Sequence, residues 1–223
     1  MTRNSWILLG KKVFTVADKR PIKENMIISR DVRLGEKTKV TYFSMGQGTS
    51  LNQESYNTSV VYIGAEGETV IILDKEKEVV VKKDDILIVP EKTICERKTG
   101  TGAIYTEIMP QKEIAINSLL KVNESMDLRN LIEYEEGSIV NLNLIQNDTV
   151  KYVLMAFDGG TGLPPHRESG NAILTALEGE AIVGYEGEEY EVKAGECFQF
   201  EKNGLQSVTA RGKFKMSFLL VLE

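Results

Sequence analysis

Short runs of apolar residues, separated by turn residues, recur along this chain. Runs rich in β-branched residues cover 69–73, 79–81 and 86–89. Similar runs follow in the second half, at 172–177, 181–185, 190–192, 197–200 and 214–222. Runs that are this short and this evenly spaced are typical of antiparallel strands in a sandwich or a jelly-roll barrel. The pattern therefore predicts an all-β protein.

A repeat relates the two halves of the chain. Several residues of the first half have an identical residue 112 positions later, and after a slip of one residue Val81 matches Val192. Two turn-rich β segments can resemble each other in composition, but chance matches would not share one register. The repeat predicts two copies of one barrel-forming unit. The matched pairs at the constant offset are Ile27 with Ile139, Gly48 with Gly160, Thr49 with Thr161, Leu51 with Leu163, and 66–68 with 178–180.

Residues 111–136 interrupt the β pattern between the two copies. Ser125 is a candidate helix cap, and apolar residues at helical spacing follow it. We therefore predict a linker with one short helix, and we expect residues 114–116 to pack on the first barrel. The predicted domains are an N-terminal barrel over residues 1–113, and residues 114–223 with the linker helix and the C-terminal barrel.

Composition limits the classes of partner. Acidic residues outnumber basic residues by 33 to 27, and the formal net charge is −6, which disfavours binding to nucleic acid or to anionic lipid. No apolar run is long enough to span a bilayer, and the stretch at residues 6–9 is too short for a signal peptide. Cys95 and Cys197 are too few for a disulfide scaffold. We expect a soluble, cytoplasmic protein with no nucleic-acid or membrane partner.

The second half contains, in this order, a segment at 127–134, then Gly160, Leu163, His166, 178–180, Gly195 and Glu196, and a closing segment at 214–220. This order resembles that of the cupin barrel, and in particular of the small stand-alone cupins. The resemblance implies a double-stranded β-helix in each half, and the whole chain looks like a bicupin. It specifies a fold and leaves the function open, because cupins include enzymes, sensors, storage proteins and binding modules.

Many cupins bind a metal through three histidines and one glutamate, so the resemblance also allows a test for a metal site. Of the eight corresponding positions, only His166 keeps the expected residue. A tight transition-metal site takes three or four protein donors, so we expect no tightly bound cofactor. If a divalent transition metal does bind, its ligands are His166, Glu168 and Gln206. The eight positions are His166, Glu168, Ala172 and Gln206 in the second copy and Glu54, Tyr56, Val60 and Cys95 in the first.

Our leading hypothesis is that the second barrel binds a small organic molecule without a metal. A barrel that is closed at one end is a common small-ligand site. His166 is the only histidine of the chain, and it is either a working pocket residue or the relic of a ligand position. The predicted pocket has His166, Glu168 and Gln206 as its polar residues and Phe157, Leu174, Phe198 and Phe200 as its apolar walls.

The first barrel is expected to be mainly structural, with a secondary pocket at Glu54, Tyr56 and Cys95. These polar residues could bind a ligand or could face solvent from a strand. Cys95 lacks a nearby histidine that would lower the pKa of its thiol, and we interpret it as structural.

Two alternatives remain for the function. The first is a cupin-type enzyme, an isomerase, epimerase or dioxygenase, that uses His166 as a base or as one metal ligand, with Glu168 as its partner. The second is an interaction module that binds no small molecule. The identity of the ligand and the oligomeric state, including a possible homodimer, stay open.

Overall fold

The fold is described by a computed structural model, which defines residues 12–222. Residues 1–11, with the apolar stretch at 6–9, and the last residue lie outside this description. Within the described part of the chain, no helix is long and apolar enough to cross a membrane. The first half contains β1 (Val13–Phe14), helix α1 (Val16–Lys19), β2 (Ile27–Val32), β3 (Thr38–Met45), β4 (Ser50–Glu54), β5 (Val60–Leu73), β6 (Lys77–Lys82), β7 (Asp85–Val89), β8 (Cys95–Lys98) and β9 (Ala103–Pro110).

The linker and the second half are also built almost wholly of strands. The linker contributes β10 (Ala115–Ile116), β11 (Ser125–Asp127) and a single 3-10 turn, η1 (Leu128–Asn130). The second half contains β12 (Ile139–Gln146), β13 (Val150–Phe157), β14 (Gly162–Arg167), β15 (Asn171–Glu178), β16 (Glu180–Tyr185), β17 (Glu188–Lys193), β18 (Cys197–Phe200), β19 (Leu205–Ala210) and β20 (Phe214–Val221).

Each half forms a jelly-roll barrel of antiparallel strands, so the predicted all-β fold with two barrels is confirmed. In the second barrel a sheet with the order β1-β18-β15-β20-β13-β12-β10 packs against a sheet with the order β14-β19-β16-β17. The alternation of side chains drives this packing: Ala181, Val183 and Tyr185 are buried, and the residues between them are partly exposed. In the first barrel, β5 is long enough to run through both sheets and pairs with four strands.

The registers of the strands match between the two barrels. Glu54 of β4 lies opposite Cys95 of β8, and His166 of β14 lies opposite Gln206 of β19. A bulge precedes the pair in both cases. The predicted equivalence of Cys95 and Gln206 is therefore confirmed, and it places four of the candidate site residues at the same depth of the two barrels.

Gly67 and Gly179 occupy the same crossing point, where a strand passes from one sheet to the other. Both have positive φ, at 65° and 72°. A Cβ atom would lie 2.2 Å from the carbonyl oxygen of Gly102 at the first glycine and 2.1 Å from that of Lys213 at the second. Only glycine fits such a backbone contact, which is why this residue recurs in both copies.

The barrels exchange their leading strands. β1 precedes the first barrel in sequence but pairs with β18 of the second, with Val13 opposite Phe198. β11 precedes the second barrel but pairs with β7 of the first, with Met126 opposite Ile86. The boundary drawn from sequence near residue 113 thus separates each leading strand from the sheet that it completes.

The linker differs from the predicted helix. Residues 125–127 pair with β7, and the hydroxyl of Ser125 donates to Asp85 Oδ2 over 3.0 Å instead of capping a helix. Asp127 is the cap, since its Oδ1 accepts from the Arg129 amide over 2.9 Å. Because residues 125–127 pair with β7, the helical part of the linker is limited to one 3-10 turn. β10 also pairs with β12 of the second barrel, and Ile116 packs against a hydrophobic cluster with residues from both barrels, so this part of the linker does not lie on the first barrel alone.

Three hydrophobic clusters hold the molecule together. One fills the first barrel and one fills the second. The third lies between the barrels and takes residues from both, such as Val40 and Ile108 from the first and Leu154 and Leu219 from the second. Ile114 of the linker is buried in this shared cluster. The two barrels therefore share a common core.

Candidate functional site

A cavity of about 230 Å³ opens into the second barrel. One end of it is polar and carries three of the predicted site residues, His166, Glu168 and Gln206. Lys151 and Asn141 also border it. The remaining walls are apolar and come from both sheets, with Val153, Met155, Leu163, Phe200, Met216 and Phe218 among them. The cavity suits a small molecule that has an apolar body and one hydrogen-bonding end.

The imidazole of His166 is held in a defined orientation. Its Nδ1 lies 2.8 Å from the carbonyl oxygen of Pro164, and its Nε2 lies 3.3 Å from Nε2 of Gln206. A carbonyl can only accept, so Nδ1 carries the proton and Nε2 presents its lone pair to the amide of Gln206. Glu168 Oε1 lies 3.6 Å from the same Nε2. Gln206 and Glu168 therefore both approach Nε2 of His166.

His166 and Glu168 are each about one-third exposed, at 35% of their side-chain surface. Both follow the Pro164–Pro165 pair on β14, whose fixed φ values limit the conformations of this strand. Gln206 is buried and lies directly across the ladder from His166. A ligand can therefore approach the imidazole and the carboxylate from the cavity while Gln206 stays fixed beneath them.

Four aromatic and aliphatic residues were predicted as pocket walls, and the structure places one of them there. Phe200 lines the cavity. Phe157, Leu174 and Phe198 face the barrel interior as expected, but they are fully buried in its core and do not border the cavity. Strand periodicity gives the face on which a side chain lies and not its depth.

Residues of β13 and β20 form a large part of the walls, and sequence reasoning missed them. Val153 and Met155 alternate on β13, and Met216 and Phe218 alternate on β20. The two strands are neighbours, with Met155 opposite Met216. The period-two pattern of each strand was a usable signal, but it gave no reason to prefer these strands over the others.

The interior of the first barrel is built around Arg97, which lies on β8 two residues beyond Cys95. Its side chain is 1% exposed, and it forms ion pairs with Glu54 and, over 3.5 Å, with Glu107, which is 2% exposed. Its Nη1 also donates to the hydroxyls of Tyr56 and Tyr62 over 3.2 and 3.3 Å. Two residues of the predicted secondary pocket, Glu54 and Tyr56, therefore bind an internal cation.

The pKa shifts in this cluster follow from burial and pairing. The hydrogen bond from Tyr56, over 2.6 Å, and the ion pair with Arg97 lower the pKa of Glu54. Burial, together with the same bond, raises the pKa of Tyr56 to about 12. Burial also raises the pKa of Glu107, and the charge of Arg97 opposes this shift. The negative charge of Glu54 is thus better compensated than that of Glu107.

Arg97 was not among the predicted site residues, although the sequence contained a signal for it. Cys95 was placed inside the barrel, and side chains two apart on a strand share a face. Cys95 itself is buried, its Sγ lies 3.8 Å from the carbonyl oxygen of Thr93, and burial raises the pKa of its thiol. This environment does not favour a thiolate nucleophile.

Comparison with known proteins relates this architecture to a family. Residues 153–222 match the family model described as cupin domain. This part of the second barrel is therefore similar to cupin domains. A search of curated protein sequences finds no match to the chain. The similarity in sequence therefore concerns the part of the chain that holds the His166 cavity.

Solved structures extend the similarity to the whole fold. A cupin 2 conserved barrel domain protein from Leptotrichia buccalis aligns with a TM-score of 0.82 and 21% identity, over 94% of this chain and 95% of that chain. Salicylate 1,2-dioxygenase from Pseudaminobacter salicylatoxidans aligns with a TM-score of 0.62 and 12% identity, over 82% and 70%. AerE from Microcystis aeruginosa gives 0.53 and 13%, over 88% and 98%. At these identities the similarity establishes the fold alone.

The cupin fold raises the question of a bound metal, and the donors in the second barrel do not fit one. His166 and Glu168 supply one imidazole and one carboxylate, Gln206 supplies a neutral amide, and Ala172 supplies no donor. Among residues 12–222, no group of three or more His, Cys, Asp and Glu side chains could hold a metal ion. The corresponding space in the first barrel holds the Arg97 guanidinium, a cation that repels a metal.

Proposed function

We propose that the chain is a bicupin whose second barrel binds a small organic molecule without a tightly bound metal. The observation that carries the proposal is the cavity of about 230 Å³, in which apolar walls lead to one polar end at His166. The division into a unit of residues 1–113 and a unit of residues 114–223 is part of the proposal. The first barrel serves as the partner of the second, in the place that another subunit takes in single-barrel cupin dimers.

The cavity offers both an acceptor and a donor. Glu168 accepts hydrogen bonds and the ammonium of Lys151 donates them, whereas the lone pair on Nε2 of His166 already faces the amide of Gln206. Lys151 brings a positive charge to the border of the cavity. A ligand with a hydroxyl or amide group on a small ring or a short branched chain satisfies these groups. The apolar walls then bury the rest of the molecule.

The proposal is tested by replacing the residue that carries it. In His166→Ala, we expect ligand binding to be lost and the fold to be kept, because the imidazole faces the cavity and not the core. The probes are salicylate, benzamide and benzyl alcohol, and binding is measured by calorimetry and by the shift in melting temperature. At least one probe should stabilise the wild type and leave the His166→Ala melting temperature unchanged.

Glu189→Ala is the matched control, since Glu189 lies exposed on β17 of the same barrel, in the hairpin that β17 forms with β16. It should bind as the wild type does. Equal binding to His166→Ala, or no stabilisation by any of the probes, would contradict the proposal. Elemental analysis of the same samples adds an independent check. A full equivalent of a transition metal that disappears in His166→Ala would favour the enzyme alternative instead.

A further inference from the structure

A second cavity, which we call the basic groove, lies where the two barrels meet. It has a volume of about 330 Å³. Phe14 and Lys19 of the N-terminal segment border it, together with Arg30 and Arg33 from the region of β2, and Gln199 of β18 in the second barrel. Clefts between domains are preferred positions for small-ligand sites. The basic groove is separate from the His166 cavity, with which it shares no residue.

Positive charge dominates the basic groove, although the chain as a whole carries a net charge of −6. Lys19, Arg30 and Arg33 border it, and Asp31 is the single acid among its lining residues in the described chain. The carboxylate of Asp31 is already engaged, since it accepts from the Thr41 hydroxyl over 2.8 Å and lies 3.6 Å from Lys39 Nζ. The three cations that border the groove therefore outnumber its acid, and that acid is shared with a fourth cation.

Arg20 adds to the positive charge near the basic groove. It follows Lys19 directly, and burial, together with the nearby charge of Arg30, lowers the pKa of its guanidinium. Its Nε is buried and has no hydrogen-bond partner within the described chain. Like charges held this close raise the free energy of the folded state. Arg30 borders the groove, so an anion bound beside it would lower its repulsion with Arg20.

The internal repeat shows that the fold does not need these charges. At the offset of 112 residues, Arg30 corresponds to Leu142 and Lys19 corresponds to Leu131. The registers agree, since Arg30 lies opposite Tyr42 and Leu142 lies opposite Leu154. Both leucines pack against the core shared by the barrels. The same positions are thus apolar contacts in one copy and cations around a cavity in the other.

We propose that the basic groove binds the phosphate group of a small organic phosphate. A phosphomonoester carries close to two negative charges at neutral pH, which matches an excess of cations better than a carboxylate does. Guanidinium groups pair with phosphate through two parallel hydrogen bonds. Phe14 and Tyr42 border the groove with apolar surface for the organic part of the ligand. This site goes beyond the proposed function of the second barrel and does not depend on it.

The test uses phenyl phosphate as the probe and the full-length protein. The Lys19→Leu/Arg30→Leu double variant installs the residues that the second copy carries, so the fold has a precedent for both changes. We expect its dissociation constant for phenyl phosphate, measured by calorimetry, to rise at least about tenfold, because two charge-assisted contacts are lost. Arg33→Gln provides an independent single variant and should weaken binding in the same direction.

Lys92→Gln removes one exposed lysine from a turn of the first barrel that does not border the groove, and it should bind as the wild type does. His166→Ala should also bind phenyl phosphate normally, which separates this proposal from the proposed function. Absence of binding to the wild type, or equal binding by the double variant with an intact circular dichroism spectrum, would overturn the proposal. Inorganic phosphate bound as tightly as phenyl phosphate would overturn the assignment to an organic ligand.

Discussion

Single residues give the two barrels different interiors. The equivalent strand positions hold His166 and Gln206 in one barrel and Glu54 and Cys95 in the other. In the first barrel the buried Arg97 pairs with Glu54 and Glu107 and donates to Tyr56 and Tyr62, and it thereby occupies the polar groups that a ligand could use. In the second barrel the residue opposite Leu163 is Val208, an apolar residue. Because Val208 cannot pair with the polar side chains, the polar end stays open to the cavity. One buried cation therefore accounts for most of the difference.

We predict that the fold needs Arg97 for its stability only as long as Glu107, its buried carboxylate partner, is present. Arg97→Met should destabilise the protein by about 3–5 kcal/mol, because it leaves the buried Glu107 unpaired. Arg97→Met/Glu107→Gln should recover much of this loss. The free energy of unfolding in urea measures both. If the double variant were as unstable as the single variant, the ion pair would not be the cause.

The raised pKa of Glu107 predicts a pH dependence. The folded state holds the proton of Glu107 above the usual value of 4.5, so it binds more protons than the unfolded state does in that range. Stability contributed by this group is full below pH 4.5 and falls as pH rises through the folded-state pKa. The stability of the wild type relative to Glu107→Gln should therefore decline with rising pH. A difference that is constant or grows with pH would refute this.

Among the structural elements, the crossing from one sheet to the other sets the shape of each barrel. β5 makes this crossing as one continuous strand, and β15 and β16 make it as two strands with Gly179 between them. The neighbouring carbonyl oxygens of Gly102 and Lys213 lie too close for any side chain. The crossing brings both ends of the strand into register with their partners, and therefore positions the residues of both pockets.

We predict that the close contact, and not the positive φ alone, makes these glycines necessary. Gly67→Ala and Gly179→Ala should lower stability by more than Gly48→Ala and Gly160→Ala. The control glycines have similar φ values, 69° and 79°, but a Cβ atom at either position would have nothing within 4 Å. The strain of a left-handed alanine costs roughly 1–2 kcal/mol at all four sites, and the clash adds to it only at the crossing. Equal losses of melting temperature in the two pairs would exclude the contact as the cause.

The whole molecule is tied together by the shared core and by the exchanged strands β1 and β11. Neither barrel completes its sheet with residues from its own side of the linker. Residues of both barrels meet in the central cluster. The barrels should therefore unfold together, although each has its own interior.

Accordingly, we predict one cooperative unfolding transition in urea, with the same midpoint by far-ultraviolet and near-ultraviolet circular dichroism. Phe14→Ala should lower that single midpoint, with a loss of about 3–5 kcal/mol expected for a buried phenylalanine. Phe14 is 7% exposed, and it joins the N-terminal segment to the second barrel. Ile22→Ala, at a site that is 37% exposed, is the control and should change little. Two separated transitions would show that the barrels are independent.

The convergence of His166, Glu168 and Gln206 was implied by the resemblance to the cupin barrel, and the sequence by itself determined the all-β fold and the repeat at 112 residues. These features depend on local propensity, on the alternation of side chains and on spacing, all of which are written along the chain. The fold class and the equivalence of Cys95 with Gln206 were predictable for that reason.

The tertiary structure alone decided which strands border the His166 cavity, where β1 and β11 pair, and what the polar residues of the first barrel contact. Depth within a barrel depends on how both sheets pack, so Phe200 lines the cavity while Phe157 and Phe198 are in the core. Strand exchange depends on contacts between residues that are far apart in the chain, such as Val13 and Phe198. The basic groove likewise arises only where the two barrels meet, because no single segment of the chain contains its residues.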